Sequence, residues 1–237
     1  GTGNSDSHTV MSLIAGVPRN YIASSTDDPS QIDEAEMVRN VRAGRVSVNR
    51  GLYVEFSANE SDQMGDLATT EDGAVELHLR VQGPTWVDSD TVKVIGNGEV
   101  VAVFPVPGAG RVVRLDTSVT LRPGHDTWYV VTAEGDEPMR PLVHDAPVPI
   151  TPLGFSNPIW VDADGDGEFT SPHERLSQRL GTTGAGAESV VAALRAEPDA
   201  MLLGLALLTR SEHAERADVF AALAEEAGPE ARLLMLR

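Results

Sequence analysis

The chain has 237 residues, 36 of them acidic and 18 basic, for a formal net charge of −18. That length supports one large domain or two ordinary ones with their own cores. The charge argues against a nucleic-acid backbone or an anionic membrane surface as main partner, since both select Lys and Arg. No apolar run approaches the ~18 residues of a membrane span, and the absence of cysteine excludes disulfides and thiolate metal sites.

The chain opens on Gly1-Thr2-Gly3-Asn4-Ser5-Asp6-Ser7-His8, with neither an initiator Met nor a signal-peptide pattern. At the other end an apolar helical pattern runs to Arg237 without a stop. The expectation is an internal piece of a longer protein.

Asp33, with Glu36 three residues on, has capping-box spacing, and Met37, Val38 and Val41 offer an apolar face before Gly44. A helix is predicted over about 34–43, followed by a strand from Val46. From Leu52 to about 134 the period becomes 2. Val75, Leu77, Leu79 and Val81 alternate with Glu76, His78 and Arg80, as in a strand with one wet face. Strands at Thr91–Ile95 and Glu99–Phe104 flank the turn dipeptide Asn97-Gly98, and Arg111–Leu121 and Thr127–Ala133 complete the set. Short strands between Gly, Pro and Asp clusters predict an antiparallel β-sandwich.

After Gly186 the composition turns to Ala and Leu. Val190, Leu194, Ala200, Leu202, Leu203 and Leu205 correspond to Val219, Leu223, Ala231, Leu233, Leu234 and Leu236, with Pro198 and Pro229 opening each second helix. This reads as HEAT-like helix pairs, with a plain helical bundle as the rival. The predicted organisation is 1–50, a sandwich at 51–150, an acidic segment at 151–176, a linker at 177–186 and helices at 187–237.

The sharpest chemical signal is Asp162-x-Asp164-x-Asp166-Gly167. Alternate carboxylates converge on one hard cation, and the glycine allows the turn that wraps it. Glu168 then contributes its backbone carbonyl and Phe169 anchors the loop to the core. His173 stands where the closing Glu belongs, so the last ligand is Glu174, a remote carboxylate or water. Oxygen donors point to Ca²⁺.

A second signal is Asp6-Ser7-His8, an O,N pair suited to a transition metal. His78 reads as an exposed sheet position, and Trp86, Trp128 and Trp160 as core or sheet-packing residues. His125, His144 and His213 lie in no constellation.

Gly3-Asn4-Ser5-Asp6-Ser7-His8 with Pro18-Arg19-Asn20-Tyr21, and Phe155 to Gly167 later, resembles the polymerase-and-histidinol-phosphatase (PHP) metallohydrolases, carbaryl-hydrolase-like branch, over roughly residues 1–175. The resemblance implies that 1–50 is the remnant of a PHP-type barrel, its last strand and helix. It also implies that Asp6 and His8 ligate Zn²⁺, Mn²⁺ or Fe²⁺ in an intact enzyme hydrolysing a small-molecule phosphoester, carbamate or other ester. The family's His-x-His pair does not occur here, so the chain by itself is expected to be inactive.

The fold expectation is therefore mixed: a barrel remnant, an antiparallel β-sandwich with a calcium loop, and an α-helical tail that could serve a protein partner. The alternative function is a non-enzymatic, calcium-stabilised β-sandwich interaction module of an exported or surface protein. Millimolar external calcium suits a weak loop.

Overall fold

The computed structural model describes residues 1–8, 16–106, 108–139, 149–182, 186–197, 201–210 and 216–224. It divides into two compact units, Gly1–Phe169 and Thr170–Arg237.

The first unit begins with β1 (Arg19–Ile22), helix α1 (Glu34–Ala43), β2 (Val46–Arg50) and β3 (Tyr53–Ala58). Next come β4 (Asp62–Gln63), β5 (Leu67–Thr69), β6 (Val75–Gln82), β7 (Thr91–Gly96) and β8 (Glu99–Pro105). β9 (Val113–Leu121), β10 (Thr127–Glu134), β11 (Leu153–Ser156) and β12 (Ile159–Asp162) complete it. One sheet runs β4-β3-β6-β9, antiparallel throughout.

The larger sheet is organised around β10, which has β7 on one side. On its other side β12 pairs with Thr127–Tyr129 and β11 with Thr132–Glu134. Asn157-Pro158 separates those two short strands, as expected where proline removes a ladder donor. β11 continues to β2 and β1, while β12 pairs in parallel with β5. Both sheets are open, with no closed barrel among the described residues.

One core lies between the two sheets. Val54, Phe56, Leu77 and Leu79 come from the smaller sheet, and Val92, Val94, Tyr129, Val131, Ile159 and Val161 from the larger. The period-2 residues on which the sandwich expectation rested are thus its inward faces. Asn97 and Gly98 both take positive φ, 47° and 94°, the conformation a tight primed hairpin turn requires. β8 carries an extra residue against β7 near Val94/Ile95, and Val100, Val101 and Val103 are exposed.

Helix α1 follows the N-cap of Asp33, whose carboxylate accepts the Ala35 N–H, and ends at Gly44 with φ 82°. The capping box does not close. Glu36 instead accepts the Ser25 N–H and hydroxyl. Val38 and Val41 are exposed, so the expected apolar face is not buried. The buried residue is Asn40, whose amide donates to the Ala23 carbonyl at 2.6 Å.

The second unit holds α2 (Pro172–Thr182), α3 (Ala187–Ala196), α4 (Met201–Arg210) and α5 (Arg216–Leu223). The stretch expected as a linker is therefore helical through Thr182. Leu176, Val190, Leu194, Leu205, Leu208, Val219 and Leu223 form the core. A Cβ on Gly204 would fall 2.3 Å from Leu194 Cδ2, so the missing side chain permits close packing.

Leu203 of the repeat pattern is 38% exposed, and α4 turns Leu205 and Leu208 inward instead. Pro198, Ala200, Pro229, Ala231, Leu233, Leu234 and Leu236 of the repeat lie outside the described residues, as do His144 and His213. No helix among the described residues is long and apolar enough to cross a membrane.

Candidate metal centre

Asp162 is the last residue of β12 and is almost fully buried. Its Oδ1 accepts the Gly165 N–H at 2.7 Å and its Oδ2 the Gly167 N–H at 2.9 Å. The loop thereby curls around this carboxylate, with Gly165 and Gly167 at φ 78° and 87°, backbone that favours glycine. Two further turns repeat the device. Asp164 accepts the Asp166 N–H and Asp166 the Glu168 N–H.

Asp126, just before β10, is also buried, and its Oδ1 accepts the Ala163 N–H at 2.8 Å. The Asp126 carbonyl is held by the Asn97 amide from the β7–β8 turn. On the opposite side Thr70 donates its N–H to the Asp162 carbonyl and its hydroxyl to that of Ala163. Strands β10, β12 and β5 therefore fix the loop from both sides.

Asp126, Asp162 and Asp164 each bring one carboxylate oxygen within 4.8 Å of the others, a cluster that could hold a metal ion. Electrostatics reflect the crowding. Burial alone would raise the Asp162 carboxyl, but the Gly167 and Gly165 N–H donors outweigh it and hold it below the ordinary range. The Asp166 N–H acts to lower Asp164, yet burial and the charges of Asp166, Asp126 and Asp162 together push it up.

Of the sequence-predicted ligands, Asp162 and Asp164 fall in this cluster, whereas Asp166 lies in the same loop but outside it. Glu168 follows directly, and Phe169 meets Trp160 edge-on with ring centroids 4.7 Å apart. Glu174 has other work. Its carboxylate accepts the Ser171 N–H and hydroxyl while its own N–H donates to Ser171 Oγ. That closed capping box starts α2 with Pro172 in its first turn. Asp126 carries no sequence signal, because its loop holds no motif; only strand pairing brings it to Asp162.

Asp6 and His8 lie outside any strand, both exposed, with His8 Nε2 3.8 Å from Asp6 Oδ1. Among the described residues no third ligand joins them. His78 is half-exposed on β6, with Nε2 3.0 Å from Asp116 Oδ1 on β9. Trp86 is 44% exposed rather than packed in the core.

No family model and no curated protein matches the chain. Among solved structures it is similar to the CARDB domain of a Pyrococcus furiosus protein in complex with di-metal ions. The identity is 16%, covering 47% of this chain and 85% of that one, with a TM-score of 0.30. The solution structure of that domain gives 18% identity, 48% and 96% coverage, and a TM-score of 0.29.

The PHP resemblance is corrected accordingly. The neighbours found are CARDB domains, and neither family models nor curated proteins support a PHP hydrolase. The physical reason is local. Asp6 and His8 occupy an exposed segment, and β2 after α1 is a strand of the antiparallel sandwich sheet, pairing with β1 and β11. The Zn²⁺, Mn²⁺ or Fe²⁺ site and the ester substrate implied by that resemblance lose their basis with it.

Proposed function

We propose that the chain is a non-enzymatic β-sandwich interaction module whose loop at Asp162–Glu168 is tied down by Ca²⁺. The observation that carries this reading is the convergence of Asp126, Asp162 and Asp164 from two strand ends. Three carboxylates repel when no cation is present, and a hard divalent ion converts that repulsion into coordination. Asp162, Asp164 and Asp126 supply carboxylate oxygens, and Glu168 offers its backbone carbonyl; Asp166, outside the cluster, would join only if the loop tightened around the ion. Asp126 takes the part of the remote carboxylate that the loop's own sequence does not provide.

The bound ion would fasten the β9–β10 connection to the end of β12. Its contribution is structural, because the ligands belong to the fold's own strands. Calorimetric titration with Ca²⁺ on the full chain tests the reading. Binding at or below millimolar concentration that disappears in Asp162→Ala supports it. Absence of any binding heat, together with a melting temperature indifferent to chelator, would leave only an acidic turn.

A further inference from the structure

A second feature of the sandwich unit is independent of the aspartate loop. Tyr21 projects from the edge strand β1 of the larger sheet and Tyr53 from β3 of the smaller. Their rings meet with centroids 4.7 Å apart at 48°. On each side of this pair lies a groove, about 310 Å³ toward Trp86 and about 380 Å³ toward His78, and both tyrosines line both grooves. Tyr21 and Trp86 are each 44% exposed. Tyr21, Tyr53 and Trp86 line one groove together, so their exposure is clustered rather than scattered.

Polar groups accompany the rings. Arg19, Asn49 and Gln82 line the groove on the Trp86 side. Arg19 Nε donates to the Gly16 carbonyl, Asn49 Oδ1 accepts the Gly51 N–H, and Gln82 Nε2 donates to Glu55. These bonds fix each side chain while leaving the terminal guanidinium nitrogens, the Asn49 amide nitrogen and the Gln82 oxygen for a ligand. The Trp86 indole N–H and both phenol hydroxyls make no hydrogen bond among the described residues. Rigid aromatic faces with fixed donors and acceptors beside them form a recognisable class of small-molecule surface.

The geometry points to a neutral oligosaccharide as the occupant, bound across the Tyr21–Tyr53 pair with sugar rings in the two flanking grooves. A pyranose presents a face of weakly positive C–H groups, which suits the negative face of an aromatic ring. Its rim of vicinal hydroxyls both donates and accepts, matching the mixed set at Arg19, Asn49 and Gln82. The net charge of −18 disfavours acidic glycans. Two grooves sharing one wall suit a chain of sugars better than a single ring.

This inference rests on reading the chain as a binding module, but not on its metal. The full chain, in calcium-containing buffer, is titrated with soluble cello-, xylo-, manno- and chito-oligosaccharides, followed by calorimetry and tryptophan fluorescence. At least one series is expected to bind, more tightly as the oligomer lengthens. Trp86→Ala and Tyr21→Ala should each weaken it roughly tenfold or more, with melting temperature and calcium binding unchanged. Trp86→Phe should retain part of the affinity. Binding by none of the four series at millimolar concentration overturns the proposal. So does binding indifferent to both alanine variants, or preference for a decaproline peptide over every sugar. Failure of calcium binding, with sugar binding intact, would instead count against the metal loop alone.

Discussion

The Asp126 carboxylate accepts the Ala163 N–H at 2.8 Å, joining the loop before β10 to the aspartate loop after β12. This bond makes Asp126 a structural clamp in its own right, and the proposed function gives it a second role as a ligand. The two roles separate on substitution. Asp126→Asn keeps an acceptor for Ala163 but removes a charge. Calcium affinity should therefore fall, while the melting temperature in chelator stays near that of the parent chain.

Calcium itself should stabilise the sandwich unit. At a free concentration a hundredfold above the dissociation constant the linkage is about 2.7 kcal/mol. Thermal melting with and without chelator measures it, and Asp164→Asn should remove most of the difference. Magnesium should substitute poorly, because it demands tighter octahedral geometry.

Much of this centre could be read along the chain and part could not. Asp162 and Asp164 stand in a motif whose spacing is itself the signal. Asp126 becomes a neighbour only through the pairing of Thr127 with Val161, a contact no local pattern encodes. The strands Leu153–Ser156 and Ile159–Asp162 have no alternating signature, because each has only four residues, too few for period 2 to emerge. Ser171-Pro172-His173-Glu174 carries a capping box, but Glu174 also stands one residue past the closing position of the calcium loop, so two patterns compete for it. The long alternating strands β6 and β10 were plain, since eight residues with one buried face leave little ambiguity.

In the helical unit the Glu197 carboxylate is buried and accepts from Arg175 and Arg179. Burial would raise its pKa, but the two guanidinium partners outweigh it and hold it below 4.5. A depressed carboxyl contributes stability that is present above its unfolded value and lost as pH falls through the folded one. Amide protection in α2 and α3, relative to the unfolded-chain exchange rate at the same pH, should therefore fall below about pH 4.5. Glu197→Gln should cost roughly 3 kcal/mol at neutral pH, by removing a buried negative charge that Arg175 and Arg179 both contact.

Tyr129 is buried in the sandwich core, and burial pushes its phenol up to about 12. The unfolded chain would release that proton near pH 10. Stability is thus fully present below about pH 10 and declines as pH rises toward 12. A spectrophotometric titration should find one tyrosine of the three withheld until the sandwich opens. Three equal titrations near pH 10 in the folded chain would contradict its burial.

Gly65 takes φ 91°, and a Cβ there would sit 1.7 Å from the Ala43 carbonyl oxygen. Backbone rather than a flexible side chain blocks the space, so relaxation must move the end of α1. Gly65→Ala should destabilise the chain by about 3 kcal/mol, whereas Gly73→Ala, with nothing within 4 Å, should cost far less. Chemical denaturation distinguishes them.

The three bare valines of β8 give the high negative charge a colloidal role. A sheet edge with exposed apolar side chains invites another molecule's strand, and mutual repulsion between strongly anionic copies keeps such encounters brief. Near the isoelectric point of about 4.6 that repulsion vanishes, and in concentrated salt it is screened. The solubility of the chain is thus a property of its medium, lowest where acid or brine disarms the charge guarding this edge.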